Sequence, residues 1–167
     1  MGPVSETITI DAPRERVFEV ISDLAYRPAF TDHFAHDFHL QRLDSTGIGA
    51  AARFRADAKR FPIWMETVIA EQDAPYRQVE RGHGSRQDRM KVGTAWELVG
   101  GDGPNATTEV TVTFWAEAEN HVDVALGKLG AGRWYKKQWR KSLKRLRDLI
   151  ENDEPIRPLR VAGASRI

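Results

Sequence analysis

The sequence predicts an α+β domain: one antiparallel sheet packed against a long C-terminal helix. Three observations predict it. Val4 to Ile10 alternates, with Val4, Glu6, Ile8 and Ile10 on one side and Ser5, Thr7 and Thr9 on the other, and it is rich in β-branched residues. From about residue 38 to 117, strand-like runs follow one another across short links. Short links join antiparallel neighbours, because a parallel pair needs a long crossover. Finally, residues 122–150 read as one helix, with Trp139, Leu143, Leu146 and Ile150 spaced i, i+4, i+7 and i+11 along a single stripe.

Between these landmarks the elements fall in order. Asp11 lies two residues before Pro13, a capping side chain followed by a first-turn proline, and Val17, Phe18, Ile21 and Leu24 continue at helical spacing. Pro28 should stop or redirect that helix, and a short second helix fits Ala29 to Phe34. Asp44-Ser-Thr-Gly47, with Gly49 beyond, separates strands over Phe38–Leu43 and Ala50–Ala56. Pro62 precedes a strand over Ile63–Glu71, and Asp73-Ala-Pro75 turns into Tyr76–Gly82. Arg89–Val99 follows Gly84-Ser85, and the loop Gly100-Gly-Asp-Gly-Pro-Asn105 leads into Thr107–Glu117. That makes seven strands, two short helices after the first strand, and one long terminal helix.

Composition narrows the function classes. At 167 residues and 41% hydrophobic content, the chain can bury a sizeable core and is not disordered. No apolar run approaches the roughly 18 residues of a membrane span, no signal-peptide pattern opens the sequence, and Glu6 stands where myristoylation after Gly2 wants Ser or Thr. With no cysteine, disulfides, thiolate metal sites and cysteine nucleophiles are excluded. The expectation is a cytoplasmic protein.

Several local features stand in a telling order: Ile8-Thr-Ile-Asp-Ala-Pro13 leading into Val17-Phe18, Ile21-Ser-Asp23, Gly47-Ile-Gly49 before Phe54, and Val68-Ile-Ala-Glu71 ahead of Pro75. A C-terminal helix with Leu143, Leu146 and Leu149 completes the set. In that order the chain resembles the START-like superfamily (SRPBCC proteins), which includes Bet v 1 allergens, polyketide cyclases/aromatases and coenzyme-Q-binding proteins. The resemblance covers roughly residues 4 to 152; it departs mildly at Ala74-Pro75, where the family usually carries Pro-Pro. It implies a helix-grip fold, in which a curved sheet grips the long helix and the space between them holds a hydrophobic ligand. On this reading residues 1–152 form one START-like ligand-binding domain and 153–167 a flexible tail. Fold does not fix function, because the superfamily holds carriers, sensors and some enzymes.

Strand alternation proposes which side chains would face such a cavity. They are Ala52, Phe54 and Ala56; Trp64, Glu66, Val68 and Ala70; Met90, Val92, Thr94, Trp96 and Leu98; and Val110, Val112, Phe114 and Ala116. An ordinary apolar core would show the same faces. Glu66, on the face of Trp64 and Val68, is the candidate acid or base, because a carboxylate among aromatics would have its charge disfavoured; a shifted register would turn it outward. Gly127, Gly130 and Gly132 either leave ligand space in the first half of the helix or mark a loop before it. Tyr135, at that boundary, could offer its hydroxyl to a ligand carbonyl and is the second catalytic candidate.

The histidines His33, His36, His39, His83 and His121 complete no zinc pattern such as HExxH, and they read as solvated imidazoles rather than metal ligands. No Gly-rich phosphate loop follows a strand, so neither a metal nor any other cofactor is expected. The basic run Arg133, Lys136, Lys137, Arg140, Lys141, Lys144, Arg145 and Arg147 could meet nucleic acid or an anionic surface, but a solvated helix face explains it as well. Nucleic acid and integral membrane association are not expected, and the oligomeric state is open. The favoured reading is binding or transfer of a small hydrophobic ligand: aromatic, polyketide-like or lipid. A cyclase/dehydratase-type enzyme using Glu66 and Tyr135, or a protein-partner module using the basic helix, are the alternatives.

Overall fold

A computed structural model describes residues 2–58, 61–84, 90–103, 105–118 and 131–161. Strand β1 (Val4–Ile10) leads into helices α1 (Arg14–Ser22) and α2 (Arg27–Thr31). Strands β2 (Ala35–Leu40), β3 (Ala51–Ala58), β4 (Phe61–Asp73), β5 (Arg77–Gly84), β6 (Met90–Gly100) and β7 (Thr108–Ala118) follow, and helix α3 (Ala131–Glu151) comes last. The strands form one seven-stranded sheet in the order β1-β7-β6-β5-β4-β3-β2, with every neighbouring pair antiparallel. This is the helix-grip α+β architecture.

The inner face of the sheet carries most of the core. Ile10, Val92, Trp96, Leu98, Val110, Val112, Phe114 and Ala116 are all buried, and they meet Tyr135, Trp139, Leu143, Leu146 and Ile150 of α3. The expected helical stripe is therefore the buried one. On the outer face, polar residues pair across strands: the Ser5 and Thr113 hydroxyls lie 2.9 Å apart, as do those of Thr7 and Thr111. Gly47 and Gly49 hold φ of +78° and +93° in the β2–β3 connection, a conformation that side chains with a Cβ rarely adopt.

Three local expectations change, and a fourth lies outside the described residues. Pro13, not Asp11, sits at the N-cap of α1, and no side chain caps it; the Asp11 amide instead donates to Glu151 Oε1 at 2.9 Å, joining α1's start to α3's end. Pro28 lies in the first turn of α2 and helps to begin that helix rather than stopping the one before. Strand β2 starts at Ala35, three residues earlier than read. The described part of α3 begins at Ala131, and Gly127 and Gly130 lie outside the described residues. Past α3, Ile156 packs against the core and the Leu159 amide donates to Ala25 O at 3.0 Å, so the segment after the helix touches the body at these two residues.

Charged side chains tie the helices down. Glu6, on the inner-parity face of edge strand β1, meets Arg140 at 2.8 Å and Lys136 at 3.9 Å. Asp32 of α2 pairs with Arg145 of α3. Buried Arg14 donates to Gly100 O at 2.8 Å and to Asp102 at 2.7 Å, and its guanidinium lies 4.2 Å from the Tyr76 ring centre. Part of the basic run on α3 thus has structural partners.

Gly93 generates a testable consequence. It stands opposite Trp115 in the β6–β7 register, and a Cβ there would lie 2.1 Å from the indole. Gly93→Val should therefore displace Trp115 and destabilise the domain by about 1–3 kcal/mol. Urea unfolding followed by circular dichroism measures this; an unchanged midpoint would show that the indole yields freely.

Candidate functional site

The site forms where α2, α3 and the inner face of the sheet converge. Its centre is ionic. Glu80 of β5 and Arg27 of α2 are 2% and 5% exposed, and their charged groups meet at 2.6 Å. Arg27 donates to both Glu80 oxygens, at 2.6 and 3.3 Å, and to Ile21 O at 3.2 Å. Glu80 also accepts from Trp96 Nε1 at 3.1 Å, Gln78 Nε2 at 3.1 Å and Thr67 Oγ1 at 3.4 Å. The Arg27 guanidinium lies 5.0 Å from the Trp96 ring centre and 5.7 Å from that of Phe30. Both carboxylate oxygens are thus engaged by donors. The role of Glu80 is to hold the guanidinium, and with it α2, against the sheet.

Beside this pair lies a cavity. Apolar and aromatic side chains line it: Phe34, Phe38, Phe54, Met65, Val92, Phe114, Tyr135 and Trp139. Arg27, Thr31, Thr67, Glu80 and Thr94 add polar atoms. The space open to the centres of water-sized molecules is about 30 Å³, room for about two waters. The rings pack edge-on and tilted, with Trp139 5.5 Å from Trp96 and 5.3 Å from Phe34, and Tyr135 4.6 Å from Phe114. Tyr135 and Trp139 are one helical turn apart on the inner side of α3; the Tyr135 hydroxyl and Trp139 Nε1 are buried with no hydrogen-bond partner among the described residues. Burial pushes the Tyr135 phenol well above its ordinary range, so it stays a neutral donor.

Of the residues singled out from the sequence, Phe54, Glu66, Val92, Thr94, Phe114 and Tyr135 border the cavity. Trp96 and Val112 are completely buried in the core behind its wall, and Met90 packs at that core's edge. Trp64 and Val68 are corrections, since they are 40% and 37% exposed. In the β3–β4 register Phe54 faces Met65, so the inner set of β4 is Met65, Thr67 and Ile69, and Trp64 turns outward. There the Arg53 guanidinium lies 4.8 Å from its ring centre. Glu66 shares that outward parity: its side chain is 46% exposed and 3.8 Å from Arg53 Nε, so it is not a carboxylate held among aromatics. Gly130 lies outside the described residues.

Sequence reasoning missed Arg27 and Glu80, as well as Phe34, Thr67 and Trp139 as cavity walls. The available signal was Glu80 sharing parity with Gln78 beside the strand that carries Trp96, whose register partner is Gln78. The histidines divide. His33 is half-buried, with Nε2 3.2 Å from Gln138 O and Nδ1 3.1 Å from Arg145 Nη1, so it is not a fully solvated imidazole. His36 lies 3.2 Å from Asp57, and His121 is outside the described residues. Among the described residues, no group of three or more His, Asp or Glu side chains is placed to hold a metal ion. No described helix is long and apolar enough to cross a membrane.

A family model described as "Polyketide cyclase / dehydrase and lipid transport" matches residues 1–151. The chain belongs to this family. No curated protein matches it, but solved structures share the family's fold. One is a protein of Thermus thermophilus, with TM-score 0.71 and 17% identity, covering 92% of this chain and 100% of that one. Another is the Zhui aromatase/cyclase of Streptomyces sp. R1128, with TM-score 0.67 and 16% identity over 92% and 96%. A third is a START superfamily protein of Mycobacterium smegmatis, with TM-score 0.60 and 17% identity over 90% and 95%. At such identities the likeness is one of fold.

Two outcomes test the site's electrostatics. Glu80→Ala leaves Arg27 buried without its partner and should destabilise by about 3–5 kcal/mol, whereas the double variant Arg27→Met/Glu80→Leu should recover most of that loss. A chemical-denaturation cycle measures both; equal losses in the single and double variants would contradict the pairing. For His33, burial is the main cause lowering its pKa below 6.5, and the cations Lys141 and Arg145 add to it against an opposing bond to Gln138. The unfolded chain then takes up the proton first. Stability from this group is complete above pH 6.5 and is lost as pH falls through the lower folded value. An NMR titration should place the His33 midpoint below 6.5, and a midpoint above it would reverse the sign.

Proposed function

We propose that this protein binds a small, largely hydrophobic ligand between the sheet and α3. The observation that carries the reading is the aromatic cavity wall of Phe34, Phe54, Phe114, Tyr135 and Trp139 set around an ion pair that is already neutralised. Membership of a family described by polyketide cyclases and lipid transport supports it. A catalytic role has less support. Glu66 is half-exposed beside Arg53, the lone pairs of Glu80 are engaged, and Tyr135 is held as a neutral phenol. Those groups offer a ligand orientation rather than a general base.

With about 30 Å³ between the described walls, a ring-sized ligand enters only if side chains move aside. Side-chain rearrangement at a binding site is common even where the backbone stays in place.

The neutral naphthalene dye N-phenyl-1-naphthylamine should bind the native protein in a saturable, one-to-one manner. Val92→Phe, which projects a ring into the cavity, should weaken that binding about tenfold while the fold persists by circular dichroism. Leu43→Ala, at an exposed site outside the cavity lining, should leave it unchanged. Absence of saturable binding to the native protein would overturn the carrier reading.

A further inference from the structure

We infer that His33 is a pH-dependent latch that fastens the end of α2 to α3 and sets how fast a ligand enters and leaves the cavity. The latch stands on contacts within the domain, and its effect on exchange rests on the proposed binding function. The imidazole bridges two groups of α3: Nε2 lies 3.2 Å from Gln138 O, and Nδ1 lies 3.1 Å from Arg145 Nη1. A carbonyl oxygen only accepts and a guanidinium only donates. Nε2 therefore carries the proton and Nδ1 the lone pair, so only the neutral ring makes both bonds. A protonated ring would turn an Nδ1–H against the Arg145 guanidinium, losing one bond and setting two cations together.

The latch sits beside the wall it would release. Thr31, Phe34 and Ala35, on either side of His33 in the chain, line the cavity. The Phe34 ring centre lies 5.2 Å from that of His33, 5.3 Å from Trp139 and 6.1 Å from Trp134. Arg27 holds the start of α2 through Glu80, so release at His33 frees the other end of the helix, and Phe34 with it. Asp32 acts on the imidazole from α2, and Lys141 and Arg145 act on it from α3. Asp32 is itself paired with Arg145, so charge added to the ring meets a cationic surround. On the sheet side, the Asp57 amide donates to Phe34 O, but its carboxylate faces His36 and Arg55, at 3.2 and 3.8 Å. Burial first, and then the two cations, hold the ring below 6.5 against Gln138 and Asp32. The latch is closed above that value and opens as pH falls through the lower folded one.

Stopped-flow fluorescence with N-phenyl-1-naphthylamine, a dye that stays uncharged in mild acid, tests the latch. Between about pH 7.5 and about pH 5, where an imidazole changes charge, its dissociation from the native protein should accelerate about fivefold or more. His33→Gln keeps an N–H for Gln138 O and an oxygen for Arg145 but cannot take a proton, so its dissociation should stay slow across that range. The variant leaves His36 in place and so separates the two imidazoles. Arg145→Gln, which removes the guanidinium, should release the dye fast already at neutral pH. A native rate that ignores pH, equal acid acceleration in His33→Gln, or slow neutral release from Arg145→Gln would overturn the latch and leave the binding function standing. Failure of the dye to bind would remove the binding function, and amide hydrogen exchange at Phe34 then decides the latch. That N–H is bonded to Thr31 O at 3.0 Å. After correction for intrinsic exchange, acid should deprotect it in the native protein and not in His33→Gln; equal protection in both would overturn the latch.

Discussion

The buried contact between Arg27 and Glu80 is the constraint on which the rest of the site depends. Desolvating two opposite charges is unfavourable by several kcal/mol per ion, and their attraction offsets this only with good geometry and further hydrogen bonds. Here the geometry is a two-oxygen contact at 2.6 and 3.3 Å, and Trp96, Gln78 and Thr67 supply the further donors. Each of those groups comes from the inner face of the sheet, while Arg27 comes from α2. The five-residue helix α2 is too short to be stable alone. It is fixed at one end by this ion pair and near the other by Asp32 against Arg145. Phe30, Thr31 and Phe34 take their places from that anchoring, and with them one side of the cavity.

The same contact shows why a fold can be legible in a sequence when its site is not. Strand order and the α3 stripe rest on short-range periodicity, which a sequence displays directly. The pairing of Arg27 with Glu80 joins residues 53 apart and leaves no local pattern; Gln78 and Glu80 look like the solvent face of an ordinary strand. Parity failed in β4 for a related reason. Trp64, Glu66, Val68 and Ala70 compete with Ile63, Met65, Thr67 and Ile69, and both sets are mostly apolar. Only the cross-strand register, Phe54 opposite Met65, decides between them. Glu66 as a catalytic candidate fell with that register. Tyr135 and Phe114 kept their places on the cavity wall because α3 and β7 each have a single apolar side.

Helix α3 serves two purposes on its two faces. Its outer face carries the basic run, where Arg140 and Lys136 meet Glu6 of β1 and Arg145 meets Asp32 of α2, so those cations help to fasten the helix. Lys137, Lys141 and Lys144 stay exposed, as a solvated face requires. Its inner face closes the core with Leu143, Leu146 and Ile150, and toward its N-terminal half replaces aliphatic side chains with Tyr135 and Trp139. The change from aliphatic to amphipathic aromatic residues coincides with the change from filled core to cavity. This is how one helix supplies both part of the domain's core and part of the cavity wall.

Intermolecular nuclear Overhauser effects from bound N-phenyl-1-naphthylamine to assigned protein side chains test the central claim most directly. The account predicts contacts to Phe34, Phe114, Tyr135 and Trp139, with the Trp96 indole N–H resonance held in place by Glu80. Contacts confined to Trp64 and Val68 on the outer face of the sheet, or none to the α3 aromatics, would contradict it.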